Sequence, residues 1–152
     1  MTTSTAARFA ASYALLRVAA DVADHWVQND HQASTKGQHD HVEGQSTAAG
    51  RRACLAHVTS YVAAQAAALA VGSKLLGLKL SPARVVGALV ISAVTHYAAD
   101  RREPLRKLAD ATGKGTFVRL ADHGMNGAYA LDQAWHHGWE TLAAAIAAGG
   151  AR

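Results

Sequence analysis

Three places in this chain set metal-type ligands one helical turn apart: Asp24 with Gln28, His96 with Asp100, and Asp132 with His136. Residues i and i+4 share one face of an α-helix. Helices that turn such faces inward gather carboxylates and imidazoles in one pocket, and His57, in a further helical stretch, is a fourth contributor. A packed interior tolerates these groups only when they are paired or metal-bound. Asp and His suit zinc, manganese or iron, and helical bundles build metal sites from side chains on facing helices. An ion with an open position lowers the pKa of a bound water and yields hydroxide near neutral pH. Gln28 is a poor ligand and a good hydrogen-bonding orienter.

Helical phase puts each candidate on an apolar stripe. His96 and Asp100 follow the apolar run Val85–Val94, Asp132 and His136 share a face with Tyr129 and Ala143, His57 shares one with Ala53, Tyr61 and Ala64, and Asp24 shares one with Ala20. The spacing alone is a weak motif in a chain with nine histidines. Each pair also fits a solvated helix-surface pair or a hydrogen-bonded core pair, and a lone His57 fits a satisfied core histidine. His31, His39 and His41, the last two flanking Asp40, form either a mobile solvated loop or a second ligand group. His25, His123 and His137 point away from the common face. Trp26, Trp135 and Trp139 are expected to pack as core or rim. Cys54 is expected to be a small buried hydrophobe, and a single cysteine excludes an intrachain disulfide.

The elements that position these residues are helices. The 152 residues suit a single domain; half are apolar, only 6% are aromatic, and two are proline, a composition that favours helix. The periodicity gives a first helix from about Ser4 to Asp30, a long polar loop over residues 31–50, a second helix from about Thr47 to Leu76 ended by Gly77, and a third capped at Ser81–Pro82 and reaching Asp100. Pro104 breaks that helix, a short helical piece follows to about Asp110, and Asn126 caps a last helix that runs to about Ala148. No strands are expected. Thr112–Gly113–Lys114–Gly115 lacks the spacing and the preceding strand of a phosphate loop. The architecture implied is all-α: a single-domain, four-helix-type bundle with a long first loop and a short extra helix.

The net charge of +4 is mildly basic and lacks the dense basic packing of a nucleic-acid arm. Arg51–Arg52 and the group Arg101, Arg102, Arg106 and Lys107 read as solvated helix faces, since no aromatic residues interleave with them. Val62–Val71 and Val85–Val94 fall short of the roughly 18 uninterrupted apolar residues of a membrane span and are expected to be buried core helices. With no signal peptide expected in Met1–Ala11, the expected location is cytoplasmic.

Lined up in this way, the chain resembles a bacterial and phage family known as domain of unknown function 3307. Asp24–His25–Trp26–Val27–Gln28 followed by Asp30 and Lys36, Ala56–His57 with Tyr61, His96–Tyr97–Ala98–Ala99–Asp100, and Leu131–Asp132–Gln133–Ala134–Trp135–His136 resemble its four local signatures, over roughly Val18 to Gly138. The family usually has a histidine where this chain has Ala20, and Asp21, about 100° further round the helix, does not replace it. The composition is also similar to that of actinobacterial proteins and their phages. The resemblance ties the pairs and His57 into one constellation. The expectation is a metal-dependent hydrolase: metal ligands His57, His96, Asp100, Asp132, His136 and Asp24, with Asp24 alternatively a general base, Gln28 bonding a ligand or the water, and Lys36, with Arg101, steadying an anionic substrate. Zinc is the first expectation, with manganese or iron as alternatives. The substrate is a small molecule or phosphoester, with nucleic acid or a second copy of the chain as lesser partners and no membrane. The alternative is a non-catalytic DNA-associated regulator or phage or mobile-element effector, although no helix-turn-helix spacing is visible.

Overall fold

The structure, a computed structural model, describes residues 4–122 and 124–150; His123 lies outside them. Four long helices, α1 (Thr5–Val22), α3 (Thr47–Leu76), α4 (Pro82–Asp100) and α7 (Gly127–Ala148), pack as a closed ring in which α1 meets α3, α3 meets α4, α4 meets α7 and α7 meets α1. The chain is an all-α helical bundle. Local sequence sets the helix ends. Ser4, Ser46 and Asn126 accept from the backbone N–H of Ala7, Ala49 and Tyr129, satisfying donors that a helix start leaves open. Gly77 ends α3 in the left-handed conformation, with φ of 64°. Pro82 opens α4, but the Ser81 side chain makes no capping bond there.

Alanine dominates the interior, so the helices approach closely around few large side chains. At one end of the bundle Leu16, Leu69, Ala88, Ala143, Ala144 and Ala147 form the apolar core. A polar layer follows, in which buried Ser92 donates to Gln65 at 2.6 Å. At the other end the ring closes on Ala20, Ala23, Tyr61, His57, His96 and His136, all buried. The apolar end anchors the helices and the histidine end carries the chemistry.

Several expectations need correction. The first helix is not continuous to Asp30. Residues Ala23–Val27 form a π-helical segment closed by the Gln28 N–H to the Ala23 carbonyl, Gln28 itself is extended, and α2 (Asp30–Thr35) starts afresh on an Asn29–Gln32 capping box. The expected loop over residues 31–50 is therefore helical at its start and, from Thr47, at its end. After α5 (Glu103–Ala111) and the single turn α6 (Gly115–Val118), a two-residue hairpin of β1 (Ala121–Asp122) and β2 (Met125–Asn126) precedes α7, where no strand was expected. Helices α3 and α4 are long and apolar enough to cross a membrane by length and mean hydropathy (1.4 and 1.2 over 18 residues), and only 33% and 22% of those windows is buried. They are thus not buried core helices: Val86, Val90 and Val94 form an exposed stripe along α4. Trp26 is 86% exposed and packs neither as core nor as rim.

Candidate metal centre

Four side chains from three separate stretches converge at the histidine end. His57 Nε2 on α3 lies 3.1 Å from Asp24 Oδ1 in the π-segment and 3.0 Å from His96 Nε2 on α4. Asp100 Oδ2, one turn beyond His96, lies 3.1 Å from His96 Nε2 and 3.5 Å from His57 Nε2, and Asp24 Oδ1 is 3.5 Å from His96 Nε2. These five separations, all between 3.0 and 3.5 Å, match the spacing of neighbouring ligand atoms around one ion. Ligands held about 2.0–2.1 Å from a zinc ion stand about 3.3–3.4 Å apart. Hydrogen bonds from His57 to Asp24 and from His96 to Asp100 use the single proton each Nε2 can offer and leave the 3.0 Å contact between the two nitrogens unaccounted for. Asp100 Oδ2 is buried without a hydrogen-bond partner. The groups His57–His96–Asp100 and Asp24–His96–His136 each could hold a metal ion.

The same cluster extends along α7. His136 Nε2 is 3.4 Å from Asp132 Oδ2, one turn away, and Asp100, Asp132 and His136 form a further group that could hold an ion. Asp100 and His96 thus each belong to two overlapping groups. The rings are fixed by stacking: Tyr61 lies 3.8 Å and His136 4.3 Å from His96, centroid to centroid. The Nδ1 atoms of His57 and His96 are buried without hydrogen-bond partners, so ring packing takes the orienting role that a second hydrogen bond usually plays at metal-binding histidines.

Around the cluster the surroundings keep Asp24 and Asp100 ionised and His96 neutral. Burial by itself would raise the Asp100 carboxyl, but His96 and the Lys36 ammonium, 2.8 Å from Oδ1, hold it far below the usual carboxylate range. Asp24 is also held low, its burial outweighed by the hydrogen bond to His57 and by the neighbouring imidazoles. Burial drives His96 below the ordinary histidine value, while His136, despite its burial, is raised by Asp132. A deprotonated His96 and an ionised Asp100 are the forms that bind a cation.

Lys36 and Arg101 play parts other than those expected. The Lys36 ammonium is committed to Asp100. Arg101 is buried, not solvated, and its guanidinium donates to the carbonyls of Lys36 and Gln38 (2.5 and 2.6 Å), so it anchors the loop that carries Lys36. Gln28 does not share a helical face with Asp24, because the π-segment and the extended Gln28 backbone separate them; its Nε2 is buried without a partner. Asp21 pairs with Arg17 at the surface and stays outside the cluster. Cys54 is fully buried, and desolvation pushes its thiol up to about 12.

Sequence reasoning missed Glu140. It is buried one turn beyond His136 and accepts from Tyr61 Oη at 2.7 Å and from Arg17 Nη1 at 2.8 Å. The signal was present, since Asp132, His136 and Glu140 continue one i,i+4 series. This network ties α1, α3 and α7 together directly behind the stacked rings. Loop reasoning also missed Glu103, which faces His39 and His41.

One side of the cluster opens. Asp100 and Asp132 lie in a cleft of about 380 Å³ walled by Lys36, Arg102, Arg106 and Tyr129. With Lys36 paired to Asp100, the guanidinium groups of Arg102 and Arg106 are the cations that suit an anionic ligand there. Comparison with protein-family models, curated proteins and solved structures finds no match to this chain.

Proposed function

We propose that this chain is a metal-dependent hydrolase of the kind implied by its resemblance to domain of unknown function 3307, acting on a small phosphoester. The observation that carries the reading is the packing of His57 and His96 Nε2 within 3.0–3.5 Å of each other and of the Asp24 and Asp100 carboxylates beside a cationic cleft. Asp24, His57, His96 and Asp100 hold one divalent ion, with zinc the best match to their donor set and manganese or iron next. Asp132 and His136, with the shared Asp100, provide a neighbouring position for a second. Bound there, such ions supply a water of lowered pKa and polarise a phosphoryl oxygen.

The protein's own groups do the rest. Arg102 and Arg106 pair with the phosphate in the cleft. Asp132, half-buried and facing that cleft, takes the proton of the attacking water as its oxygen bonds to phosphorus. The phosphorus–oxygen bond to the leaving group breaks, and the proton passes from Asp132 to the departing oxygen. Lys36 keeps Asp100 ionised throughout.

The test is elemental analysis of untagged protein together with hydrolysis of bis(p-nitrophenyl) phosphate. Near-stoichiometric zinc, manganese or iron, with turnover abolished in Asp132→Asn, is expected. Protein that purifies without metal and shows no thermal shift on adding zinc or manganese overturns the reading.

A further inference from the structure

We propose that His39, His41 and Glu103 form a separate, solvent-accessible site for a borderline divalent cation such as zinc or nickel, one that pins the loop between α2 and α3 to the start of α5. The Glu103 carboxylate turns one oxygen to each imidazole: Oε1 lies 3.2 Å from His41 Nε2 and Oε2 lies 3.7 Å from His39 Nδ1. The two rings stack 5.4 Å apart at an angle of 28°, and one ligand atom from each of the three residues falls within 4.8 Å of the others. Two imidazoles and one carboxylate with solvent at the remaining position make a His₂Glu donor set suited to zinc or nickel.

The second nitrogen of His39 supports the assignment. His39 Nε2 is 3.0 Å from the Arg101 carbonyl oxygen. A proton on Nε2 donates there and leaves Nδ1 with its lone pair toward Glu103, the arrangement that fixes ring orientation at metal-binding histidines. The Arg101 Nη2 lies 3.2 Å from His39 Nδ1, but its shorter contact is to the Gln38 carbonyl at 2.6 Å. Asp40, between the two histidines, is not a ligand: its Oδ1 accepts from the Thr47 N–H at 2.9 Å, a contact that shapes the turn presenting both rings on one side. His31 stands apart on α2.

The backbone at this junction is special. Arg102, directly before Glu103, has φ of 62° without being glycine, a conformation that costs free energy and persists where surrounding contacts impose it. That conformation turns the chain from Asp100, in the buried cluster, to Glu103 at the loop. An ion held by both sides of the junction stabilises the turn and the loop carrying Lys36.

Equilibrium dialysis of the full chain against zinc chloride, followed by elemental analysis, tests this. His41→Ala and Glu103→Gln are each expected to hold one zinc ion fewer per chain than the parent, and His96→Ala to retain the peripheral ion. Zinc is also expected to slow proteolysis within residues 36–46 of the parent and of His96→Ala, and not of His41→Ala. Equal zinc content in the parent, His41→Ala and Glu103→Gln overturns the proposal, whatever His96→Ala does to the buried cluster.

Discussion

His57 and His96 face each other nitrogen to nitrogen, with 3.0 Å between their Nε2 atoms. A hydrogen bond between them requires one to be protonated and the other not, and neither arrangement serves Asp24 and Asp100 at the same time. A cation bound between the two nitrogens would relieve that conflict. Metal-stripped protein is therefore expected to gain about 2.7 kcal/mol when zinc is added at a hundredfold excess over its Kd, read as a rise in thermal midpoint. His96→Ala should abolish most of that gain. A shift of the same size in the variant would place the stabilising ion elsewhere.

Lys36 is the cationic partner of a buried carboxylate. Replacing it with methionine keeps the stem and removes the charge, leaving Asp100 Oδ1 without its ion pair. Breaking one side of a buried pair costs about 3 kcal/mol or more, so metal-free Lys36→Met should unfold at markedly lower denaturant. Added zinc should restore part of the loss, because a bound cation also compensates Asp100. Denaturant titration with and without metal separates the two effects.

Glu140 joins Arg17 to Tyr61 out of contact with solvent. Tyr61→Phe leaves one acceptor of Glu140 unsatisfied and should cost about 1–3 kcal/mol, with metal affinity little changed. Glu140→Leu strands both the Arg17 guanidinium and the Tyr61 hydroxyl and should cost more. If the two substitutions proved equally mild by chemical denaturation, the network would not be the brace between α1, α3 and α7 that its geometry indicates.

The parts of this fold that were legible in sequence depend on neighbours close along the chain. The ends of α3, α4 and α7 follow from Ser46, Gly77, Pro82 and Asn126 acting within a turn or two. The His96–Asp100 and Asp132–His136 pairs are set by helical repeat alone. The convergence of Asp24 and His57 with them rests on contacts 33 and 39 residues apart, which helical phase allows but does not fix. The π-segment was not legible, because its one extra residue per turn changes the direction of Asp24 without any proline or glycine to announce it. Arg101 reads as a surface cation until the loop carbonyls of Lys36 and Gln38 are seen folded over it. Glu140 reads as one more exposed acid unless the i,i+4 series from Asp132 is continued past His136.

Gly50 marks where that loop rests on α3. A methyl group added there would overlap the Gln38 carbonyl oxygen and the Arg101 guanidinium. Gly50→Ala should push the loop off its seat, weaken the Lys36–Asp100 pair and cost about 1–3 kcal/mol. Gly138→Ala, in α7 with open space around it, is the control. It should be neutral or stabilise by up to about 1 kcal/mol through helix propensity. Thermal denaturation of the two variants side by side checks the contrast.

Acid should destabilise the metal-free protein in two stages. His96 titrates below its ordinary value of 6.5 in the folded state. The unfolded chain then binds a proton that the folded chain refuses, so stability falls as pH drops from about 6.5 toward the lower folded value. Asp24 and Asp100 are depressed from 3.8. The stability they contribute is complete above that value and is lost as pH falls further, through their folded values. His136 is raised and acts in the opposite sense: its contribution is complete below 6.5 and is lost as pH rises through its folded value. Its effect is separable in His136→Gln, which should lack the gain in stability that the parent shows as pH falls from the raised folded value of His136 toward 6.5. A parent protein whose unfolding free energy stays flat from pH 7 to pH 5 while His136→Gln does the same would show that neither imidazole is coupled to its carboxylates in the way the geometry requires.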